Sequence, residues 1–383
     1  MGLRSARSPT FAPILRSRAF LVPFALILVL LTIIYSPLPA VYDAHRDALL
    51  GEIAGVAKGH FSSTPPPAWH PLSLEHVRSK YAFASFLAGE AETNEDADTS
   101  FADDQYFVAT RLLAYQILHA PETRSRDESI PFVVLVTSNV SERKRARLRK
   151  DGAIVVPAEF VSAAWVKTDN TKWQDVMTKL RLWELTQFER ICFVDGDTVL
   201  VEPLDGIFQD PALVSRPTGQ KEDQRFEDES EMPATYSFAG VPEMNRQHHF
   251  PPTDANHDFP NIAYLNAGFF VFEPSLTLLS YYLSLINTVN KFNPEFPEQN
   301  LLNYAHRGEG NMPWQQLGNT WNIHYPTVDD LHQGAKSLHE KWWDPENKDL
   351  QSYLETWRWR MEGYFEARDA RFVDSSRADR WQD

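Results

Sequence analysis

Cysteine is almost absent. Cys192 is the single one in 383 residues, so no intrachain disulfide can form and no cysteine-based zinc or iron–sulfur site is possible. Positive charge is also short: 37 lysines and arginines face 52 acidic residues, a net charge of −15, which excludes a nucleic-acid binder built on a basic surface. Glycine is sparse, 16 against 26 prolines, and this balance points to ordered loops rather than flexible linkers. Internal repeats and long low-complexity tracts are missing. Apolar residues, in contrast, make up 43% of the chain and aromatics 13%, enough for a large core, so disorder as the main state is excluded. The length gives two or three domains as a loose prior.

One stretch lacks charge altogether. Arg4, Arg7, Arg16 and Arg18 are the only charges before Asp43, and the remainder carries −19. Between them lies an apolar run, Ala19 to Tyr35, the short end of a spanning helix. Arginines on its N-terminal flank favour a cytosolic N-terminus, and short spans suit the early secretory pathway. The expected organisation is a cytosolic tail (1–18), a transmembrane anchor (19–35), a Pro-rich stem (36–76), a catalytic domain (77–345) and a helical extension (346–383), that is, a single-pass type II protein of the Golgi or ER with a lumenal domain. A cleaved signal peptide ending near Ala40 is the competing reading. Asn139-Val140-Ser141 is a glycosylation sequon, meaningful only in the lumen.

From about Tyr81 to Tyr325 strand and helix signals alternate. Strands are expected at Tyr81–Gly89, Phe132–Thr137, Ala153–Val156, Arg190–Val194 and Phe269–Phe272, and helices at Gln105–His119, Ser141–Lys150, Thr178–Leu185 and Leu276–Lys291. Such alternation implies an α/β fold with a mostly parallel sheet covered on both faces. The basic helix Ser141–Lys150 reads as a solvated face. The region Gly219 to Asn261 reads as a long acidic surface loop, with His248 and His249 at the surface. After Trp343, Leu350, Leu354, Trp357, Met361 and Tyr364 form a helical stripe that either docks on the domain or meets a partner helix.

The best local signal is FVDGDTVL, Phe193 to Leu200. An apolar strand delivers Asp195 and Asp197 to its C-terminal end, where open α/β sheets bind ligands. Two carboxylates so placed can hold a hard divalent cation; a capping or structural pair is the alternative. A second D-x-D, Asp96-Ala97-Asp98, lies in a polar loop and carries no expectation.

Together with Met177–Gln187 (MTKLRLWELTQ), Tyr264–Ser275 (YLNAGFFVFEPS) and Pro297–His306 (PEQNLLNYAH), this segment resembles, in the same order, the glycogenin-like retaining glycosyltransferases of family 8, most closely fungal lumenal members. The resemblance spans roughly Tyr81 to Trp343 and implies a GT-A-type nucleotide-sugar-binding fold, a UDP-sugar donor and Mn²⁺. It assigns Asp195, Gly196 and Asp197 to the D-x-D that holds the cation and the diphosphate. Lys179 matches a lysine that reaches the donor. Asn266, Ala267 and Gly268 match a turn beside the donor sugar. Tyr106, and Leu87 at the end of the first strand, correspond to contacts with the base. Glu298 and Gln299 match a D-Q pair near the reacting carbon, with Glu in place of Asp. The family's C-terminal H-x-x-G-x-x-K-P-W segment is altered here to DLHQGAKSLHEKWW, Asp330 to Trp343. His339 is favoured as third metal ligand over His332, and Lys341 (or Lys336) as the lysine on the leaving diphosphate. The expected activity is transfer of glucose, galactose or N-acetylglucosamine, the last favoured, to a glycan or glycoconjugate. Two rivals stand beside it. A haloacid-dehalogenase-like phosphatase would use Asp195 as nucleophile, with Asp329 and Asp330 as its later acidic pair. A membrane-tethered scaffold would have lost catalysis.

Overall fold

The computed structural model of the protein describes residues 77–89, 101, 104–167 and 175–378, with side chains to 371. The expected tail, anchor and stem, and the Asp96–Asp98 pair, lie outside the described residues. No described helix is long and apolar enough to cross a membrane.

The strands are β1 (Tyr81–Leu87), β2 (Phe132–Thr137), β3 (Ile154–Ala158), β4 (Arg190–Val194), β5 (Thr198–Leu200), β6 (Arg216–Pro217), β7 (Thr235–Tyr236), β8 (Phe238–Pro242), β9 (Leu265–Phe272), β10 (Gln315–Gln316), β11 (Ile323–His324) and β12 (Ser337–His339). The helices are α1 (Gln105–Leu118), α2 (Glu142–Asp151), α3 (Leu276–Asn287), α4 (Pro297–Ala305), α5 (Val328–Gln333) and α6 (Gln351–Ala378). A seven-stranded sheet has the order β10-β8-β9-β4-β1-β2-β3. β4, β1, β2 and β3 run parallel, and β9 is antiparallel to both β4 and β8. This is a mixed α/β domain with a mostly parallel central sheet.

The strands read as continuous apolar runs because both faces are covered. Alternation then divides them: Ile191 and Phe193 enter one core with Trp183, Phe270 and Phe272, while Cys192 and Val194 enter another with Phe83, Phe132 and Phe269. Asp195 continues the strand at the edge of that double core. A small second sheet has the order β11-β12-β5, with His324 opposite His339 and His339 opposite Thr198.

The helix expected at Thr178–Leu185 is present as a 3₁₀ helix, Val176–Glu184. Three expectations need correction. The Gly219–Asn261 segment is not all surface loop, since β8 lies wholly buried within it, between β9 and β10. The basic helix α2 is not simply solvated: Arg147 and Lys144 pair with Asp151 and Asp104. His248 has a fully buried side chain, because its ring lies between the Asn245 carbonyl at 3.0 Å and Asp330 at 3.2 Å; His249 is exposed.

α6 docks on the domain. Leu350, Leu354, Trp357, Met361 and Phe365 bury against Val108, Leu112 and Tyr115 of α1, so the stripe is not a free partner surface; Tyr364 is exposed at its rim and Phe365 takes the buried place. A buried carboxylate reinforces the contact. Asp151 accepts from Arg111 at 2.6 Å and Arg147 at 2.5 Å, and Arg368 of α6 lies 3.5 Å away. The sequon asparagine is engaged in the fold, its Nδ2 donating to the Gly89 carbonyl at 2.7 Å.

Candidate active site

β4 ends at Val194, and the main chain is held there by two crossings. The Asp195 N–H donates to the Gly268 carbonyl of β9 at 2.8 Å, and the Glu340 N–H donates to the Asp197 carbonyl at 3.0 Å. The loop between β4 and β5 is thereby tied to β9 on one side and to the end of β12 on the other. Gly196 sits against α1, where a Cβ would lie 3.2 Å from Thr110 Oγ1. These ties bring Asp195, Asp197 and His339 together, with one ligand atom from each inside 4.8 Å of the others. His339 Nε2 is 3.4 Å from Asp197 Oδ1, and Nδ1 is buried without a partner. Two carboxylates and an imidazole, one of its nitrogens unsatisfied, fit a divalent cation.

A second charged cluster adjoins it. The 3₁₀ helix carries Lys179 under the strand end, its Nζ 3.1 Å from Asp195, 2.9 Å from Glu298 and 4.6 Å from the centre of the Phe193 ring. Lys341 Nζ lies 3.4 Å from Asp197 Oδ2. The two aspartates are therefore not left to repel each other; each has its own cation. Burial opposes a charged Lys179, but Asp195 and Glu298 outweigh it and raise its pKa. Burial pushes Asp195 up, against the pull of Lys179. It pushes Asp197 up too, but His339 and Lys341 prevail and hold that carboxyl well below the usual range.

No family model matches the chain. An uncharacterized protein of Schizosaccharomyces pombe is 28% identical over 292 residues, 67% of this chain and 75% of that protein. Galactinol synthase 1 of Solanum lycopersicum is 27% identical over 183 residues, 45% of this chain and 49% of the synthase. The chain is a glycosyltransferase, and its galactinol synthase relatives support the glycogenin-like resemblance to family 8. Among solved structures, the apo form of WbbM, a bifunctional glycosyltransferase, aligns with 78% of this chain and 52% of its own at 17% identity, with a TM-score of 0.43; so loose a superposition adds nothing to the assignment.

The remaining expected residues of the glycosyltransferase fall into three groups. Asn266, Ala267 and Gly268 lie inside β9 rather than in a turn before it, at a ladder irregularity where Gly240 pairs with Phe270 but Pro242 with Leu265. Gln299 on α4 accepts from the Ala267 N–H at 2.8 Å, which joins the two motifs. Tyr106, on the first turn of α1, is half-buried edge-on to Trp343 with ring centroids 5.1 Å apart. Leu87 is buried in the core, so its side chain offers no surface to a base. His332 is exposed on α5 and is not part of the metal cluster; Lys336 pairs with Glu202. Asp329 is exposed and Asp330 caps α5, so the acidic pair required by a phosphatase is not at the site.

Sequence reasoning missed Glu243 and His324. Glu243 follows β8, whose glycine and proline weaken the strand signal that would have marked it. His324 has no such mark; only its place on β11, beside His339, brings it to the site.

Proposed function

We propose that the enzyme transfers a hexosyl group from a UDP-sugar to a glycan or glycoconjugate, with Mn²⁺ and with retention of configuration. The observation that carries this reading is the convergence of Asp195, Asp197 and His339 beside the Lys179–Glu298 pair. A divalent cation held by those three residues would act as Lewis acid towards the departing diphosphate. Lys341, whose side chain is 44% exposed, can reach a diphosphate bound at the same place and stabilise its growing charge. Lys179 is too buried for that role. It neutralises Asp195 and Glu298 and fixes both carboxylates in place. A Glu298 carboxylate paired with an ammonium is a poor nucleophile, which favours same-face attack over a covalent glycosyl intermediate. Tyr106 and Trp343 form an aromatic edge suited to the uracil base.

The sequence resemblance keeps UDP-glucose and UDP-galactose as candidate donors and tilts the choice towards UDP-N-acetylglucosamine. The Arg cluster before Ala19–Tyr35 supports a type II anchor with the domain in the Golgi or ER lumen; in sealed microsomes the part after the stem should resist external protease. The test of the chemistry is a Mn²⁺-dependent hydrolysis and transfer screen over UDP-glucose, UDP-galactose and UDP-N-acetylglucosamine, with Asp197→Asn alongside. Wild-type turnover of one of these donors, lost by about a hundredfold or more in the variant, is expected; at an effective dielectric near 20 a contact charge pair amounts to several kcal/mol. A variant as active as wild type with Mn²⁺ would rule the reading out.

A further inference from the structure

The polar side chains behind the donor-sugar motifs converge on one carboxylate that belongs to neither motif. Glu243 immediately follows β8. Its Oε1 accepts from His324 Nδ1 at 2.5 Å and from the Met244 N–H at 3.1 Å. Its Oε2 accepts from Asn266 Nδ2 at 3.0 Å and from Gln299 Nε2 at 3.4 Å. Four donors on two oxygens match the acceptor capacity of an ionised carboxylate, and nothing in the cluster calls for a donor in return.

The two amides are also held at their other ends. Asn266 Oδ1 accepts from the Gly268 N–H at 2.9 Å, and Gln299 Oε1 accepts from the Ala267 N–H at 2.8 Å. Each amide therefore grips the 266–268 main chain with its oxygen and Glu243 with its nitrogen. A flip of either would aim a carbonyl oxygen at the carboxylate and an NH₂ at a main-chain N–H. Both wrong orientations are excluded by the same residue. His324, with its Nδ1 proton directed at Glu243, stacks on His339 with ring centroids 4.9 Å apart and planes 26° from parallel.

We infer that Glu243 is a positioning residue for sugar transfer, acting through Asn266 and Gln299. The inference rests on the UDP-sugar reading above. It divides the site in two: Asp195, Asp197 and Lys341 serve cation and diphosphate, while Glu243 sets the wall that meets the sugar. Within that division, disturbing Glu243 changes turnover and leaves nucleotide affinity alone.

Glu243→Gln tests this, because it keeps the volume of the side chain and removes one of its two acceptor oxygens. With the full-length chain, the expected result is a fall in kcat of about a hundredfold, the effect of a misplacement near 1 Å. KM for the UDP-sugar, and the affinity for UDP with Mn²⁺ measured by calorimetry, should stay close to wild type. A second readout needs neither metal nor turnover: in ¹⁵N spectra of the metal-free protein, the Asn266 and Gln299 side-chain amide signals should shift in Glu243→Gln and stay in place in Glu202→Gln. Unchanged kcat, or UDP affinity falling in parallel with kcat, would overturn the inference. If the wild type turns over no UDP-sugar, the UDP-sugar reading fails and the role in transfer fails with it. The amide spectra then still show whether Glu243 holds the two side chains, and unshifted signals would refute the contact itself.

Discussion

Replacing Gly268 by alanine is the sharpest probe of the metal cluster. A Cβ built at Gly268 would lie 2.1 Å from Cε1 and 2.7 Å from Nδ1 of His339, and 3.0 Å from Asn266 Oδ1. Carbon atoms in contact settle at about 3.5 Å, so the imidazole must retreat by roughly 1.4 Å, since the alanine methyl is fixed to a fully buried strand. Metal ligands tolerate deviations of only about 0.2 Å, and the ring therefore leaves the cluster. Overpacking of this kind costs about 1–3 kcal/mol, within the 5–15 kcal/mol typical of a native protein, so the fold survives. The expected outcome is a Mn²⁺ affinity, measured by calorimetry, reduced about tenfold to a hundredfold or more, with thermal unfolding lowered by only a few degrees. Gly363→Ala is the control: nothing lies within 4 Å of its Cβ position on α6, and the helix should gain up to about 1 kcal/mol. A Gly268→Ala protein that folds and binds Mn²⁺ like wild type would show that His339 is not a ligand.

Two further predictions concern the frame. His306 is fully buried, its Nδ1–H donating to the Met312 carbonyl at 2.7 Å and its Nε2 accepting from the Tyr282 hydroxyl at 2.6 Å; burial pushes its pKa down from 6.5 to about 4. The unfolded chain binds the proton first, so this contribution to stability is complete above about pH 6.5 and is lost as pH falls towards 4, about 3 kcal/mol in all. Urea titrations between pH 7.5 and 4.5 should show that slope in the wild type and a shallower one in His306→Phe; equal slopes would contradict it. Asp151→Ala strips Arg111, Arg147 and Arg368 of their shared carboxylate and should cost about 3–5 kcal/mol, with faster hydrogen exchange along α6; a loss below about 1 kcal/mol would mean that apolar packing alone holds the helix.

What the sequence determined by itself is local. An apolar strand ending in a carboxylate is legible from eight residues, because burial of β4 and the polarity of Asp195 are properties of one short segment, and the apolar stripe of α6 is legible from helical spacing, though not what it packs against. Three features depended on the tertiary structure. β8 was hidden because FAGVP contains a glycine and a proline, which weaken a strand signal; its place beside β9 and the burial of all five residues make it a strand. The sequence favours His339 over His332 without deciding between them. Their difference is one of register, because β12 pairs with β5 and sets His339 opposite Thr198, next to Asp197, while α5 turns His332 outward. Glu243 and His324 meet across 81 residues of chain, and His248 finds Asp330 across 82. Such pairs leave no trace in spacing or composition: only the tertiary fold brings their atoms within hydrogen-bond range, and in a buried setting that proximity decides which polar groups the site contains.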